Sequence, residues 1–248
     1  MDRITYDFHI HSCLSPCGDD EMTPENIAAM AALIGLDAIA LTDHNSCKNC
    51  EALLAAAGTY GLLAIPGMEL CTSEEVHVLC YFATLENALS FDSYVADHSL
   101  HILNKPEYFG NQLVYNCEDR IAYSLPELLI SASTISFSQL PALMLEFGGI
   151  MVPAHLDKSS TSLISNLGFI PPDSTFTCAE VKNPHCIPTL RKEHPYLEHC
   201  HIISSSDAHQ LADIQEATHI LHVNEKTVFG ILTALEPGGC NFCSFIKP

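Results

Sequence analysis

Residues 6–11 read Tyr6-Asp7-Phe8-His9-Ile10-His11, and this stretch decides how the rest of the chain is interpreted. Tyr6–Ile10 has the alternation of a short strand, and a polar loop follows from His11 to Glu21. Residues i and i+2 of an extended segment point to the same side, so His9 and His11 can bind one ion together. The stretch therefore predicts a strand that delivers metal-binding side chains at its carboxyl end.

The strand, loop and helix pattern recurs outward from this stretch. Thr23-Pro24-Glu25 predicts a helix start with an N-cap, a proline at the first position and an acid in the first turn. The helix runs through Asn26–Leu33 to Gly35. Further predicted strands are Asp37–Leu41, Leu62–Ile65, Val76–Phe82, Gly149–Ala154, Thr177–Val181, His201–Ser205 and His219–Val223. Further predicted helices are Glu51–Ala57, Leu125–Ala132 and Gln139–Phe147.

This alternation predicts a parallel α/β fold, either a barrel or a doubly wound sheet. A length of 248 residues fits a single domain over residues 1–248, because single α/β barrels of about this size are common. The stretch around residues 98–120 is less regular, and we interpret it as an inserted loop or cap. Long loops in compact domains are often functional, so this one is a candidate lid over a site.

Composition excludes several classes of protein. Hydrophobic residues make up 48% and charged residues 16%, which excludes a disordered chain. The formal net charge of −20 disfavours a long nucleic acid as partner, although bound divalent cations would offset part of it. The apolar run Ala28–Leu41 is short and interrupted by Asp37, and no basic and apolar leader opens the sequence. We therefore expect a cytoplasmic protein that does not enter a membrane.

Two cysteine pairs have a spacing that structural zinc sites and redox pairs share. They are Cys47-x-x-Cys50 and Cys240-x-x-Cys243. The first pair lies near a predicted helix start and the second in a predicted terminal strand, where alternate residues face opposite ways. Twelve cysteines are also few for a disulfide scaffold of this length. Buried or surface thiols are therefore the favoured interpretation.

Polar residues follow the predicted strands repeatedly. They are His9, His11, Asp43, His44, Glu69, His155, Asp207 and His209. In α/β barrels the carboxyl ends of the strands meet on one face, so these side chains should converge. Imidazole and carboxylate together suit zinc, iron or manganese, and the two oxygens of Glu69 can bridge neighbouring ions. Two metals about 3.5–4 Å apart form the usual clamp for phosphoester hydrolysis.

Five ordered motifs resemble those of the polymerase and histidinol phosphatase (PHP) superfamily. They are His9-x-His11, Thr42-Asp43-His44-Asn45, Gly67-x-Glu69, Pro153-Ala154-His155 and Ser206-Asp207-x-His209. The resemblance implies a distorted (β/α)7 TIM-like barrel, a trinuclear centre of two to three divalent ions and phosphoesterase activity. It also implies three ligand sets, namely His9, His11, Glu69 and Asp207 for the first ion, Glu69, His77 and His155 for the second, and His44 and His209 for the third.

The third site departs from the expected pattern, because no Ser-Asp-Gly stretch follows the first motif. Cys17, Asp19 and Asp20 are the candidates to complete it, and Asp19 is favoured. A protonated histidine is expected to help neutralise the leaving group, and His209 and Asp43 are the candidate catalytic residues. Asp43 has an alternative role, which is to orient His44 or to cap the next helix.

Phosphate contacts are expected from cations near strand ends. The candidate substrate-binding residues are Lys158, Lys182, His185 and Arg191. Taken together, the sequence predicts a metal-dependent phosphoesterase for a small phosphomonoester or a short nucleotide-type phosphodiester. The alternatives are an amidohydrolase-like enzyme that uses the same centre on a C–N bond and a non-catalytic, metal-stabilised binding module. The sequence does not indicate an oligomeric state.

Overall fold

The computed structural model describes residues 1–236 and 243–245 of the chain. Its strands are β1 (Asp2–Ile10), β2 (Ala38–Leu41), β3 (Leu63–Cys71), β4 (His77–Phe82), β5 (Leu113–Tyr115), β6 (Ile121–Ser124), β7 (Gly149–Pro153), β8 (Cys178–Glu180), β9 (His201–Ile203), β10 (His219–Val223) and β11 (Cys243–Phe245). Its α-helices are α1 (Pro24–Ile34), α2 (Cys50–Tyr60), α3 (Leu85–Asp97), α4 (Pro106–Phe109), α5 (Leu140–Phe147), α6 (Leu163–Leu167), α7 (Ile187–Glu193) and α8 (Val228–Leu235).

A curled seven-stranded sheet, in the order β11-β10-β1-β2-β3-β4-β7, forms most of a distorted TIM-like barrel. Strands β8 and β9 pair separately. Backbone hydrogen bonds extend the ring at both ends of that pair, from Leu156 N to Glu180 O (2.8 Å) and from His11 N to Ala208 O (2.9 Å). The predicted barrel is confirmed, and its distortion lies in the strand directions.

Only part of the sheet is parallel, which corrects the expectation of a parallel fold throughout. The pairs β1–β2, β2–β3 and β8–β9 are parallel, whereas β10–β1, β3–β4 and β4–β7 are antiparallel. The tight connection from β3 to β4 is the physical reason, since a short turn can join only antiparallel neighbours. Pairing with β4 also extends β3 to Cys71, so that Glu69 lies within the strand and opposite Leu79.

Local sequence signals account for the elements that were predicted well. The Thr23 side chain accepts a hydrogen bond from Asn26 N, Pro24 opens α1, and Gly35 ends it in the left-handed conformation. Strand β10 has the predicted bounds, His219–Val223. The residues that start and end α1 lie next to it in the sequence, so its bounds could be predicted from the sequence alone.

The segment between α3 and α5 is where the predicted secondary structure fails. No helix forms over residues 125–132. Its backbone bonds to distant parts of the chain instead, from Leu125 N to Gln112 O (2.8 Å) and from Leu128 N to Ile102 O (2.7 Å). The predicted insertion at residues 98–120 contains α4, β5 and a turn that leads into β6.

Two apolar clusters support the sheet. One contains Tyr6 and Phe8, whose rings stack with centroids 4.4 Å apart, and the other packs α1 and α2 against the strands. Cys47 and Cys50 are buried free thiols that both donate to Gly67 O. Cys240 of the second predicted pair lies outside the described residues. Within the described chain, no helix combines the length and apolar character needed to cross a bilayer.

Candidate metal centre

The strand ends bring most of the predicted ligands into one buried cluster. His9 lies near the end of β1, Glu69 lies in β3 and His77 opens β4. His155 follows β7, and Asp207 follows β9. Because β1, β2 and β3 run parallel, their carboxyl ends meet at the same edge, and the antiparallel β4 contributes its first residue there. The cluster therefore forms where the barrel geometry predicts it.

Glu69 is the hub of this cluster and is 1% exposed. Five imidazole nitrogens lie within 3.4 Å of its two carboxylate oxygens. Near Oε1 are His9 Nε2 (3.3 Å), His77 Nδ1 (2.9 Å) and His155 Nε2 (3.1 Å), and near Oε2 are His11 Nε2 (3.4 Å) and His44 Nδ1 (3.0 Å). One carboxylate thus faces imidazoles on both sides, which is the arrangement that a bridging ligand requires.

Asp207 completes the cluster from the opposite side. Its Oδ1 lies 3.4 Å from Nε2 of both His9 and His11. Its Oδ2 accepts a hydrogen bond of 2.5 Å from Lys158 Nζ and lies 3.6 Å from Lys182 Nζ. One oxygen therefore faces the imidazoles and the other faces two ammonium groups at the rim.

Three groups of ligand atoms lie close enough together to hold an ion, with all atoms of each group within 4.8 Å of one another. They are His9, His11 and Glu69, then His44, Glu69 and His77, and then His11, His44 and His209. The buried Nδ1 atom of His155 has no hydrogen-bond partner in the described part of the chain. Buried polar atoms are rarely left unpaired, and imidazole with carboxylate suits zinc, iron or manganese. The donor set therefore fits divalent metal ions.

The pKa values in the cluster diverge. Burial alone raises the pKa of Glu69, but the facing imidazoles of His77 and His9 outweigh burial and bring it well below its usual value. Burial alone lowers the pKa of His77, but Glu69 outweighs burial and raises it to about 10. Burial lowers the pKa of His44 to about 3 and that of His209 to about 4, with His11 adding to both effects. His44 and His209 are thus neutral near pH 7, which is the form that binds metal ions.

The same value bears on the predicted catalytic role of His209. A pKa of about 4 favours the neutral form of the His209 ring, which is the form that binds metal ions, and its role as proton donor stays a prediction. Its ring stacks on His11 with centroids 4.2 Å apart, and its Nδ1 lies 2.9 Å from Asp207 O. These contacts hold the ring against the cluster.

Three of the seven non-glycine residues with positive φ among the described residues follow strands at the centre. Asn45 (φ 48°), His155 (φ 30°) and Asp207 (φ 53°) all adopt this uncommon conformation. Such conformations cost about 1–3 kcal/mol each and persist where the surroundings enforce them. The Asn45 side chain is held by Cys71 N, which donates to its Oδ1 at 2.8 Å. The strained backbone at these strand ends is typical of a functional site.

Asp43 accepts its hydrogen bonds from the loop after β1, and its catalytic role stays a prediction. Its Oδ1 accepts hydrogen bonds of 2.7 Å from Ser12 N and Ser15 Oγ, and its Oδ2 accepts one from Ser12 Oγ. Ser15 Oγ in turn lies 3.0 Å from His11 Nδ1. Ser15 Oγ also accepts a hydrogen bond of 3.1 Å from His44 N, so Asp43 fixes the loop after β1 and is linked through Ser15 to both His11 and His44.

The residues considered for the third site are placed at the edge of the centre. Asp19 is exposed, and its Oδ1 accepts a hydrogen bond from Glu21 N, so the side chain caps its own turn. Asp20 accepts hydrogen bonds from Asn111 Nδ2. Cys17 is exposed, and its pKa is raised to about 12 by partial burial together with the charge of Glu69. The backbone N–H of Asp19 donates to His209 O at 2.9 Å, so the structure brings Asp19 beside His209, but the Asp19 side chain is turned to its own loop.

The four predicted substrate-binding residues separate into two pairs. Lys158 and Lys182 lie at the rim beside Asp207. The Arg191 guanidinium instead donates to the carbonyls of Leu197 and Cys200, where it ties α7 to the chain before β9. His185 is exposed, and no contact of its side chain with the centre occurs among the described residues. Only the lysines are placed to meet a substrate at the centre.

Two buried carboxylates escaped the sequence analysis. Glu180 ends β8, and its Oε2 lies 2.9 Å from His9 Nδ1. Asp7 precedes the histidine pair and accepts hydrogen bonds from Ser206 N and Gln215 N, which hold the loop that carries Asp207. In the sequence, a charged residue between apolar neighbours of a predicted strand could have identified both Asp7 and Glu180 as buried carboxylates.

Comparison with known proteins agrees with this geometry. The family model described as PHP domain matches residues 7–226. The lesion-specific endonuclease Q of Pyrococcus furiosus is 18% identical with a TM-score of 0.67, covering 98% of this chain and 58% of its own. A putative metal-dependent phosphoesterase from Bifidobacterium adolescentis is 17% identical with a TM-score of 0.56, covering 82% and 87%.

An amidohydrolase from Chromobacterium violaceum, solved with bound sulfate, is 17% identical with a TM-score of 0.57, covering 90% and 93%. No curated protein matches the chain. The chain spans less than two thirds of the length of endonuclease Q. At these identities, the structural likeness establishes the fold alone.

Proposed function

The chain belongs to the PHP domain family, and from this premise we propose that it is a metal-dependent phosphoesterase. Its substrate in this proposal is a small phosphomonoester or a short nucleotide-type phosphodiester. One observation carries the proposal, namely that imidazoles surround both oxygens of the buried Glu69 carboxylate. A carboxylate with this surrounding is suited to bridge two cations.

The proposed centre holds two to three zinc, iron or manganese ions. Its proposed ligands are His9, His11, Glu69 and Asp207 at the first site, Glu69, His77 and His155 at the second, and His44 and His209 at the third. In the compact group around Glu69 and His77, the third ligand atom belongs to His44 rather than to His155. When bound, the ions supply a water of pKa about 7 and neutralise charge on phosphoryl oxygens. The placement of Asp19 on its own turn makes the third site the least complete of the three.

Lys158 and Lys182 are proposed to bind the phosphoryl group. Both ammonium groups lie near Asp207 Oδ2 and are partly exposed, so they can reach an anion that approaches the centre. Ammonium groups bind phosphate as point charges, and such charge-assisted hydrogen bonds are the strong ones. In this proposal, the negative charge of Asp207 holds the ammonium groups of Lys158 and Lys182 in place.

Charge supports a small substrate rather than a long polyanion. The sequence has only 10 Lys and Arg against 30 Asp and Glu, and two of those ten are the lysines at the rim. A long nucleic acid would have to approach an acidic protein, and each phosphate contact needs a cation. The likeness to endonuclease Q, which was solved with a 27-mer duplex containing an abasic lesion, nevertheless makes such a duplex the competitor to test.

Two other functions remain as alternatives with their own supporting observations. The Chromobacterium violaceum amidohydrolase shares the fold, which supports hydrolysis of a C–N bond on the same centre. A metal-stabilised binding module would bind ions without turnover. Retention of all the ligand-type residues of the motifs favours an enzyme over this module.

The proposal is tested by assaying protein purified without chelator. We expect two to three transition-metal ions per chain by elemental analysis, with hydrolysis of p-nitrophenyl phosphate or its bis ester. Activity should disappear with chelator and in His9→Ala, and should return when manganese, zinc or iron is added back. Cleavage of p-nitroacetanilide alone would favour the amidohydrolase, cleavage of the abasic duplex alone a nuclease, and bound metal without turnover the binding module.

A further inference from the structure

We propose that Glu180 is a positioning residue that sets both the orientation and the metal affinity of His9 and His155. This inference rests on the metal-binding part of the proposed function. Glu180 is fully buried at the end of β8, and its Oε2 contacts His9 Nδ1 at 2.9 Å and accepts a hydrogen bond from His155 N at 3.1 Å. A single carboxylate oxygen thus joins one ligand of the first proposed site to one of the second.

The contact with His9 determines which ring nitrogen can bind a metal. When Nδ1–H donates to the carboxylate of Glu180, the lone pair of the neutral ring is on Nε2. That Nε2 faces Glu69 Oε1 at 3.3 Å and Asp207 Oδ1 at 3.4 Å. A carboxylate behind a ligating imidazole fixes the tautomer and makes the ring a stronger donor.

The contact with His155 fixes a backbone that would otherwise relax. His155 has a φ of 30°, which a residue with a side chain seldom adopts. Its N–H donates to Glu180 Oε2, and the next residue, Leu156, donates its N–H to Glu180 O at 2.8 Å. These two bonds hold the turn that directs His155 Nε2 to within 3.1 Å of Glu69 Oε1.

The second oxygen of Glu180 indicates that its charge has a role. Oε1 is buried and has no hydrogen-bond partner in the described part of the chain. Burying a carboxylate costs more desolvation free energy than burying a neutral amide that accepts the same hydrogen bonds, unless positive charge lies near the carboxylate. A neutral amide oxygen could accept both hydrogen bonds, the one from His9 Nδ1 and the one from His155 N. Metal ions beyond the imidazole of His9 would supply the compensating charge.

The test compares the wild type with Glu180→Gln, whose amide oxygen can accept both hydrogen bonds but which lacks the charge. Zn²⁺ and Mn²⁺ affinities are measured by competition with a chromogenic chelator, and folding by thermal melting. We expect the variant to fold and to bind at least one ion about 10- to 100-fold more weakly. Asp92→Asn is the control, because Asp92 is also a buried carboxylate that accepts hydrogen bonds from Cys47 N and Ser46 Oγ; it differs from Glu180 in its ion pair of 2.6 Å with Lys48 Nζ.

The control should keep the wild-type affinities. Equal affinities in wild type and Glu180→Gln would overturn the role of Glu180 while leaving the proposed function in place. A wild-type protein without metal affinity would overturn both. If Glu180→Gln does not fold, Glu180→Asp replaces it, since it keeps the charge but draws the carboxylate back by one methylene. Weaker metal binding is then expected, and wild-type affinity in a folded Glu180→Asp protein would overturn the inference.

Discussion

The strand ends around Glu69 bury polar side chains, whereas the segment between α3 and α5 exposes apolar ones. Around Glu69, the polar side chains of His9 and His11 are fully buried. In the segment between α3 and α5, apolar side chains are exposed, with Leu103 at 70% and Tyr108 at 78%. Burying polar groups is costly unless each finds a partner, so the first region is specified by its mutual contacts. The second region has no comparable constraint.

The segment between α3 and α5 is hydrogen-bonded to the loops at the strand ends. Leu113 N donates to Cys13 O at 2.9 Å, and Asn45 Nδ2 donates to Leu129 O at 2.6 Å and Ser131 O at 2.8 Å. The segment between α3 and α5 is therefore fastened to the loops that carry His11 and His44. Substitutions in the two regions should consequently differ in kind, affecting metal and turnover in one and stability in the other.

The largest effect is expected from Glu69→Gln. Removing the charge that faces five imidazoles should lower metal content and reduce phosphoester turnover by more than about 100-fold, since even outer partners of metal ligands are worth 10–100-fold. Elemental analysis and a p-nitrophenyl phosphate assay measure both quantities. The control is Glu51→Gln, which changes an exposed glutamate on α2. Full metal content in Glu69→Gln would contradict the expectation that substitutions at the strand ends affect metal binding.

Lys158→Ala should affect substrate binding without affecting metal. Loss of a charge-assisted hydrogen bond of about 1.5–3 kcal/mol corresponds to a rise in KM of about 10- to 100-fold, with metal content preserved. Steady-state kinetics on each variant measure the change, and Lys182→Ala should behave in the same direction. Lys226→Ala, at a half-exposed lysine paired with Asp37, is the control. A fall in kcat at constant KM would contradict a phosphate-binding role.

Gly110→Ala should destabilise the fold more than Gly35→Ala. Both glycines have positive φ, 97° and 88°, but a Cβ on Gly110 would meet Pro16 O at 2.1 Å, whereas one on Gly35 would meet open space. We expect a loss of about 1 kcal/mol for Gly35→Ala from strain alone and about 2–3 kcal/mol for Gly110→Ala. Urea unfolding of the two variants measures the contact with Pro16 together with the backbone strain at Gly110, whose ψ is 172° against 31° at Gly35, and equal losses would show that the segment is not pressed against the loop.

The smallest effect is expected from Tyr108→Ser. The side chain is 78% exposed in the segment between α3 and α5, so its removal should change the free energy of unfolding by less than about 0.5 kcal/mol. Turnover of p-nitrophenyl phosphate should be unchanged. A clear rise in KM would instead place this tyrosine against the substrate and would support the lid predicted for residues 98–120.

The centre was more predictable from sequence than the segment between α3 and α5 because its information is local. Each of His9, Glu69 and Asp207 follows or ends a recognisable strand within a short motif. Glu180 has no such motif, and its role depends on a contact with a residue 171 positions away. The false helix at Leu125–Ala132 has the same origin, because its backbone partners are supplied by Gln112 and Ile102.

Asp19 illustrates a different limit of the sequence. Its position after the first motif suggested a ligand, but Asx side chains in turns readily bond their own backbone, and Asp19 does so with Glu21 N. Asp43 was ambiguous for a similar reason, and its contacts with Ser12 and Ser15 support the alternative role of orienting neighbouring residues. Short polar loops identify where chemistry occurs better than they identify which residue performs it.

The central claim, that Glu69 bridges metal ions, is tested most directly by a crystal structure with anomalous scattering data. Protein purified without chelator and supplied with zinc or manganese would be measured at the absorption edge of that metal. We expect separate anomalous peaks on the two sides of the Glu69 carboxylate, one near His9 and His11 and the other near His77 and His155. A single peak away from Glu69, or none in a metal-supplemented crystal, would contradict the claim.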